Sequence, residues 1–282
     1  MLDRLILNTA ELNSGTPLSE AITAADFDDL EFNGYSLQDT AHISSIIEAF
    51  SAPTRELVTY KAPRTDGGGW NGDYFRERRI KVSGIIEKST SALLETELDT
   101  FKRYMAQSEG NLDLKVNSEI RRIVATLENP QDMFSRREGF HISFTPFDLT
   151  FLALEPMWHA LEYTSNTFED IALLSYPTEV EVTGSYKAQP VVIIILQTAS
   201  SVTKINFKND TNDDEVEISA TYVAGDVLMI DSENKSITIN GTEVDYDGIF
   251  PELNIGTNEL TITVTGSSVQ YTATVKYRDT YL

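Results

Sequence analysis

The 282-residue chain contains no cysteine, which excludes disulfide scaffolds, thiolate metal sites and cysteine nucleophiles. Its formal net charge of −22 is uneven: residues 1–50 carry 1 basic and 9 acidic side chains, residues 51–150 carry 15 of each, and residues 151–282 carry 6 against 20. An acidic surface repels phosphate backbones and argues against nucleic-acid binding, and the longest apolar run, Val191–Leu196, is far too short for membrane insertion.

Met1-Leu2-Asp3-Arg4 opens without a secretory pattern, so a soluble protein made in a cytoplasm is expected. Short strands are read at Leu5–Leu7 and within Phe27–Leu37, the latter broken by an Asn33-Gly34 turn. The polar stretch Arg64–Asp73, with Gly67, Gly68, Gly69 and Gly72, is read as a flexible loop or a hairpin tip. Arg76, Arg78, Ile80, Val82 and Gly84 then share one parity, and strand periodicity is plain from Arg79 to Ile86. One helix is expected where Leu94, Leu98, Phe101 and Met105 recur at helical spacing, with Leu93 and Tyr104 widening the stripe. Ser89, Thr90 or Ser91 can cap its start, Lys102 and Arg103 suit its end, and Gly110 is read as a left-handed cap.

Further strands are expected at 111–116, 120–127 and 139–147, the last closed by Pro146, which cannot donate to a ladder. Residues 160–176 read as a linker. Beyond them strand-like runs recur at 178–184, 190–197, 201–207, 215–221, 226–231, 235–239, 243–246, 259–265 and 269–277, the mark of a β-sandwich. The fold class is therefore mainly β with one α-helix in the N-terminal domain, an α+β arrangement followed by a sandwich.

No constellation for chemistry emerges. His42, His141 and His159 lack partners at ligand spacing, and the triple glycine 67–69 lacks the setting of a phosphate loop. The acidic run Asp210–Glu217 resembles half of a calcium loop, but Glu215 and Thr221 stand where glycine and glutamate are required, so a solvated hairpin turn is the better account. No catalytic residue, metal ligand or cofactor is assigned, and the chain reads as a non-enzyme. Trp70, in the glycine-rich stretch, is the aromatic whose context suggests exposure and contact with a protein partner.

The C-terminal run Ala224-Gly225-Asp226, Asn240-Gly241, Gly248-Ile-Phe-Pro251-Glu-Leu and Gly256-Thr-Asn258 resembles the galectin-like sandwich domain of distal tail proteins from long-tailed bacteriophages. Phe32-Asn-Gly-Tyr35, Arg78–Gly84, Leu98–Lys102, Glu109–Leu112 and Phe144–Phe147 follow the family's order over residues 30–282, while residues 1–28 have no assignment. The resemblance implies an N-terminal ring domain over 1–165, completed by 276–282 if the final strand leaves the sandwich, and a galectin-like sandwich over 176–275.

It also implies a virion protein of the tail tip, made in the bacterial host's cytoplasm. Such a protein forms a homo-hexameric ring, single or stacked, between the major tail tube protein and the tail tip hub protein. Some members hold receptor-binding proteins on a long insertion between sandwich strands, which this chain lacks. Ring contacts are expected in the charge-balanced stretch 51–150, with Trp70, Arg76, Arg78 and Arg79 as interface candidates and the acidic half facing outward. Two alternatives stay open: another tube-terminal adaptor, or a carbohydrate-binding β-sandwich module.

Overall fold

The structure, a computed structural model, describes residues 29–39, 42–46, 52–61, 66, 69–116, 119–128, 130, 133–134 and 143–282. The strand expected at Leu5–Leu7 lies outside these residues. The chain divides into two compact units, Met1–Met157 and Trp158–Leu282.

In the first unit, β1 (Asp29–Phe32) and β2 (Tyr35–Ser36) form a hairpin whose turn residues, Asn33 and Gly34, have φ of 52° and 75°. That pair of positive dihedrals is what Asn-Gly supplies at low cost. Strands β3 (His42–Ile46), β6 (Arg78–Glu87), β7 (Gly110–Val116), β8 (Glu119–Leu127) and β9 (Phe144–Ala153) complete one sheet in the order β2-β1-β7-β8-β9-β6-β3. Alternation sets one face inward: Ile80, Val82 and Ile86 of β6 and Phe147, Leu149 and Phe151 of β9 are buried. Helix α1 (Ser91–Met105) adds Leu94, Phe101 and Met105 to this core, with the Phe101 and Phe147 rings 5.1 Å apart. Thr90 is its N-cap and accepts from the Leu93 amide at 3.4 Å. Leu93 itself is exposed and does not widen the buried stripe.

Two expectations fail here for physical reasons, and a third is changed in part. Gly110 is not a left-handed cap: α1 ends on a right-handed Ala106, and Gly110 opens β7 because the Asn33 side chain fills the space a Cβ would take, 2.1 Å away. Pro146 does not end a strand but sits inside β9 opposite Ile85, at a point where β8 does not pair with β9, so its missing N–H serves one neighbour only. The glycine-rich stretch is part strand: β4 (Arg55–Tyr60) pairs with β5 (Gly69–Phe75) as a separate two-stranded sheet. Gly69 is tolerated because the Tyr60 ring lies over it, where a Cβ would come within 2.4 Å.

The second unit is a two-sheet sandwich. One sheet runs β11 (Thr164–Ile171), β21 (Ser268–Tyr277), β13 (Val191–Ser200), β16 (Val227–Asp231), β17 (Ser236–Ile239), β18 (Thr242–Glu243). The other runs β12 (Ser175–Val182), β20 (Gly256–Thr265), β14 (Val202–Asn209), β15 (Asp214–Tyr222), β19 (Asp247–Gly248). Inward residues from both, among them Val192, Ile194, Ile205, Phe207, Ile262 and Val275, form one core. Residues 160–176 are thus not a linker: they hold β11 and the start of β12, an edge strand on each sheet. Thr272–Tyr277 stays in β21, and only β22 (Thr280–Tyr281) leaves it, pairing with β10 (Trp158–Ala160) of the same unit.

Candidate assembly surfaces

The β4–β5 hairpin of the first unit is largely exposed. Leu57, Tyr60 and Tyr74 are 59%, 58% and 52% exposed, and no third strand joins the pair among the described residues. A lone two-stranded ribbon is marginal in water. Ion pairs across it, Arg55 with Asp73 and Arg76 with Glu56, hold its register. The Arg76 guanidinium and the Tyr74 hydroxyl hold the Glu56 carboxyl below the usual carboxylate range.

The four interface candidates separate. Trp70 lies opposite Thr59 in β5, but its side chain is outside the described residues. Arg76, at the exit of the hairpin, is exposed. Arg79 projects from the solvent face of β6 onto Glu128, with Nε and Nη2 3.1–3.3 Å from its carboxylate oxygens. Arg78 is only 3% exposed, and Nη1 donates to the Pro156 carbonyl at 3.2 Å. Burial pulls its pKa down to about 10. The shared parity of Arg78 with Ile80 and Val82 already pointed it at the core, where it braces the unit from within and offers no free surface.

A polar cluster around the buried His42 was missed by the sequence reading. His42 Nδ1 lies 2.9 Å from Asp39, and Nε2 lies 3.0 Å from the Tyr35 hydroxyl. Tyr35 donates to Glu97 at 2.5 Å, and Lys88 sits 2.9 Å from the other oxygen of the same carboxylate. Burial pushes the Glu97 carboxyl up, but hydrogen bonds from Tyr35 and Lys88 outweigh it and leave it below its ordinary value. Burial and the Glu97 hydrogen bond push the Tyr35 phenol up. The Tyr35 and Tyr104 rings stack at 4.6 Å, so the cluster clamps α1 to β2 and β3. Only the three-residue spacing of Asp39 and His42 was visible in the chain.

The motifs of the second unit prove to be pins. Asp226 accepts from the Val223 amide and from Asn240 Nδ2, while Asn240 Oδ1 accepts from the Val227 amide. The Gly-Asp and Asn-Gly pairs therefore lock two turns together. Asn258, fully buried, accepts from the Asn254 amide and from Asn209 Nδ2, and donates to the Asn254 and Gly256 carbonyls. Gly248 has φ of 109° and approaches the Glu215 carbonyl so closely that a Cβ would lie 2.2 Å from it.

The acidic run spans the turn between β14 and β15 and the first four residues of β15. Lys208 sits 3.0 Å from Asp210 and 2.9 Å from Asp213, and hydrogen bonds from Thr261 and Lys208 hold the Asp210 carboxyl down. No group of three or more acidic or histidine side chains among the described residues could hold a metal ion. An open cleft of about 430 Å³ is lined by Asp214, Lys235, Gly248, Ile249, Phe250 and Glu252. It contains no nucleophile–base pair.

Residues 183–281 match the family model for the siphovirus-type tail component, C-terminal domain. The match covers the segment whose Gly-Asp, Asn-Gly and Gly-x-Phe-Pro spacing resembled that family. No curated protein matches the sequence. Among solved structures, the crystal structure of the phage SPP1 Dit (gp 19.1) protein, "a paradigm of hub adsorption apparatus in Gram-positive infecting phages", aligns with a TM-score of 0.66 at 13% identity, over 90% of this chain and 99% of that one. Chains of the phage p2 baseplate in its activated conformation align with TM-scores of 0.42 (Sr form) and 0.43 (Ca form), both at 8% identity, over 87% of this chain and 96% and 92% of theirs. The likeness to the SPP1 protein is one of fold, mainly β with one helix among the described residues.

Proposed function

From a second unit that carries the C-terminal domain of siphovirus-type tail components, we propose that the chain is a structural protein of a phage tail tip, a distal tail protein. Six copies close into a ring between the tail tube protein and the tip hub, and the finished protein resides in the virion. The observation that carries this reading is the family match over residues 183–281, on a chain of which 90% aligns with the fold of the SPP1 Dit protein.

The physical surface supports self-assembly through the first unit. Its β4–β5 hairpin exposes four large apolar side chains, Leu57, Val58, Tyr60 and Tyr74, and has no third strand among the described residues, and residues 51–150 are charge-neutral. Neutral surfaces self-associate with less repulsion than surfaces of one sign. Trp70, Arg76 and Arg79 are its candidate contacts, and a head-to-tail contact closes when its rotation divides a full turn.

Light scattering and negative-stain microscopy of the purified protein test the reading. A mass near six or twelve times 31.5 kDa, with open six-fold rings, is expected. The combined Leu57→Ser, Tyr60→Ser and Tyr74→Ser variant is expected to abolish the rings without unfolding either unit. Rings that survive this variant would remove the hairpin from the contact, and a wild-type chain that stays monomeric at all concentrations would remove the ring itself.

A further inference from the structure

The chain holds three Asn-Gly pairs, at 33–34, 71–72 and 240–241. Such a pair is chemically fragile, because glycine has no Cβ to shield its amide nitrogen from the preceding asparagine side chain. Two of the pairs sit in turns with the asparagine tethered. Asn33 has φ of 52°, its Oδ1 accepts from the Asn111 amide at 2.8 Å, and its Nδ2 donates to the Gln107 side chain. Asn240 also has φ of 52°, its Oδ1 accepts from the Val227 amide at 2.9 Å, and its Nδ2 donates to Asp226 at 2.8 Å. Both ends of each side-chain amide are occupied.

Asn71-Gly72 is built differently. Leu57 lies opposite Asp73 and Thr59 opposite Trp70, so Val58 alone faces the two residues Asn71 and Gly72. The pair is a β-bulge, with Gly72 at φ of 124°, and a bulge leaves its extra residue outside the ladder. No side-chain hydrogen bond or ion pair ties Asn71 to another described residue. Exposure does not separate the pairs, since Asn71 and Asn240 are both exposed. Tethering does. The ribbon that carries Asn71 is also two-stranded and marginal in water, so the bulge opens easily.

We infer that Asn71 is a self-modification site, at which the Gly72 amide nitrogen attacks the Asn71 side-chain carbonyl carbon. The new N–Cγ bond closes a succinimide ring. The bond from Cγ to Nδ2 breaks, and that nitrogen leaves as ammonia, its third hydrogen replacing by way of solvent the one lost from the Gly72 amide. Water then adds to either imide carbonyl and opens the ring to aspartate or isoaspartate. A water enters and an ammonia leaves, and nothing is oxidised or reduced. Attack requires the asparagine side chain to swing onto the following nitrogen. At Asn33 and Asn240 that swing breaks two hydrogen bonds, which lowers the reactive population by about tenfold. At Asn71 it breaks none among the described residues. The product adds a carboxylate to a ribbon in which the pairs Arg55–Asp73 and Arg76–Glu56 otherwise balance, and the isoaspartate form lengthens the main chain inside the bulge.

The inference rests on side-chain geometry and not on the tail-tip reading, because peptide mapping reads each asparagine whether or not rings form. The full chain is incubated at mildly alkaline pH, folded in buffer and unfolded in urea. Peptides carrying residues 33, 71 and 240 are followed by mass spectrometry, where replacement of the amide by a carboxyl marks each conversion. In the folded chain Asn71 is expected to convert about tenfold faster than Asn33 and Asn240. In urea, where the tethers are gone, the three are expected to convert at similar rates. Equal rates in the folded chain overturn the inference, as does a slower rate at Asn71. A preference for Asn71 of the same size in urea also overturns it, because neighbouring residues and not the fold would then set the selectivity. Gln107→Ala, shown to be folded by its thermal melt, gives a second reading. It frees Nδ2 of Asn33 and is expected to speed conversion there several-fold while leaving Asn71 unchanged. An Asn33 rate that does not rise would remove tethering as the cause.

Discussion

Asn258 is fully buried and both accepts and donates through its side-chain amide. Its amide carries four hydrogen bonds in a site without water access, tying residues 254–256 to Asn209 on β14. Asn258→Ala would orphan the Asn254 amide and carbonyl inside the fold, at a cost of about 3 kcal/mol. The melting temperature of the chain is expected to fall by about 10 °C, with hydrogen exchange rising across residues 250–262 and not across 78–87. Glu97 is the residue whose role depends on pH. Its carboxyl titrates lower in the folded state than in the unfolded chain, so its ionised form contributes stability above the ordinary value of 4.5, and this is lost as pH falls through the folded value. Acid is therefore expected to loosen α1 from the sheet. In Glu97→Gln that part of the acid dependence of hydrogen exchange over 91–105 should disappear; an unchanged acid profile would remove Glu97 from the clamp.

At the scale of elements, packing of an amphipathic face decides what forms. Phe101 is the centre of α1's contact with β9, and Phe101→Ala is expected to destabilise the first unit by about 3–5 kcal/mol, read as a lower urea midpoint with unchanged slope. That helix and strands β13 to β17 were legible because each carries a clean period: 3.6 for Leu94, Phe101 and Met105, and 2 for Val192, Ile194 and Leu196. Strand β11 was not legible. Thr164-Ser-Asn-Thr-Phe-Glu-Asp-Ile171 is an edge strand with mostly exposed side chains, so it lacks the apolar alternation that marks a strand, and it read as a linker. Gly69 and Pro146 hid strands in a different way, since each is tolerated only because of one neighbour in space, the Tyr60 ring and the partly unpaired side of β9. The same limit applies to the surfaces. The neutrality of 51–150 was visible by counting, whereas the His42 cluster joins residues 62 apart in the chain, Tyr35 and Glu97, and only the topology brings them together.

For the whole molecule, the division of charge is the property with the widest consequences. Residues 151–282 hold an excess of 14 acidic groups, while residues 51–150 are balanced. Self-repulsion within the acidic unit is long-ranged when the Debye length is about 30 Å at 0.01 M salt, and short-ranged when it is about 8 Å at 0.15 M. Folding concentrates those charges, so salt should stabilise the second unit in a way that the first does not share. Hydrogen exchange at 0.01 M and 0.15 M NaCl separates the two, because strands β13 and β21 report on one unit and β6 and β9 on the other. Protection is expected to rise several-fold with salt in β13 and β21 and to stay nearly constant in β6 and β9. An equal rise in all four would mean that the charge imbalance is not felt as a local field.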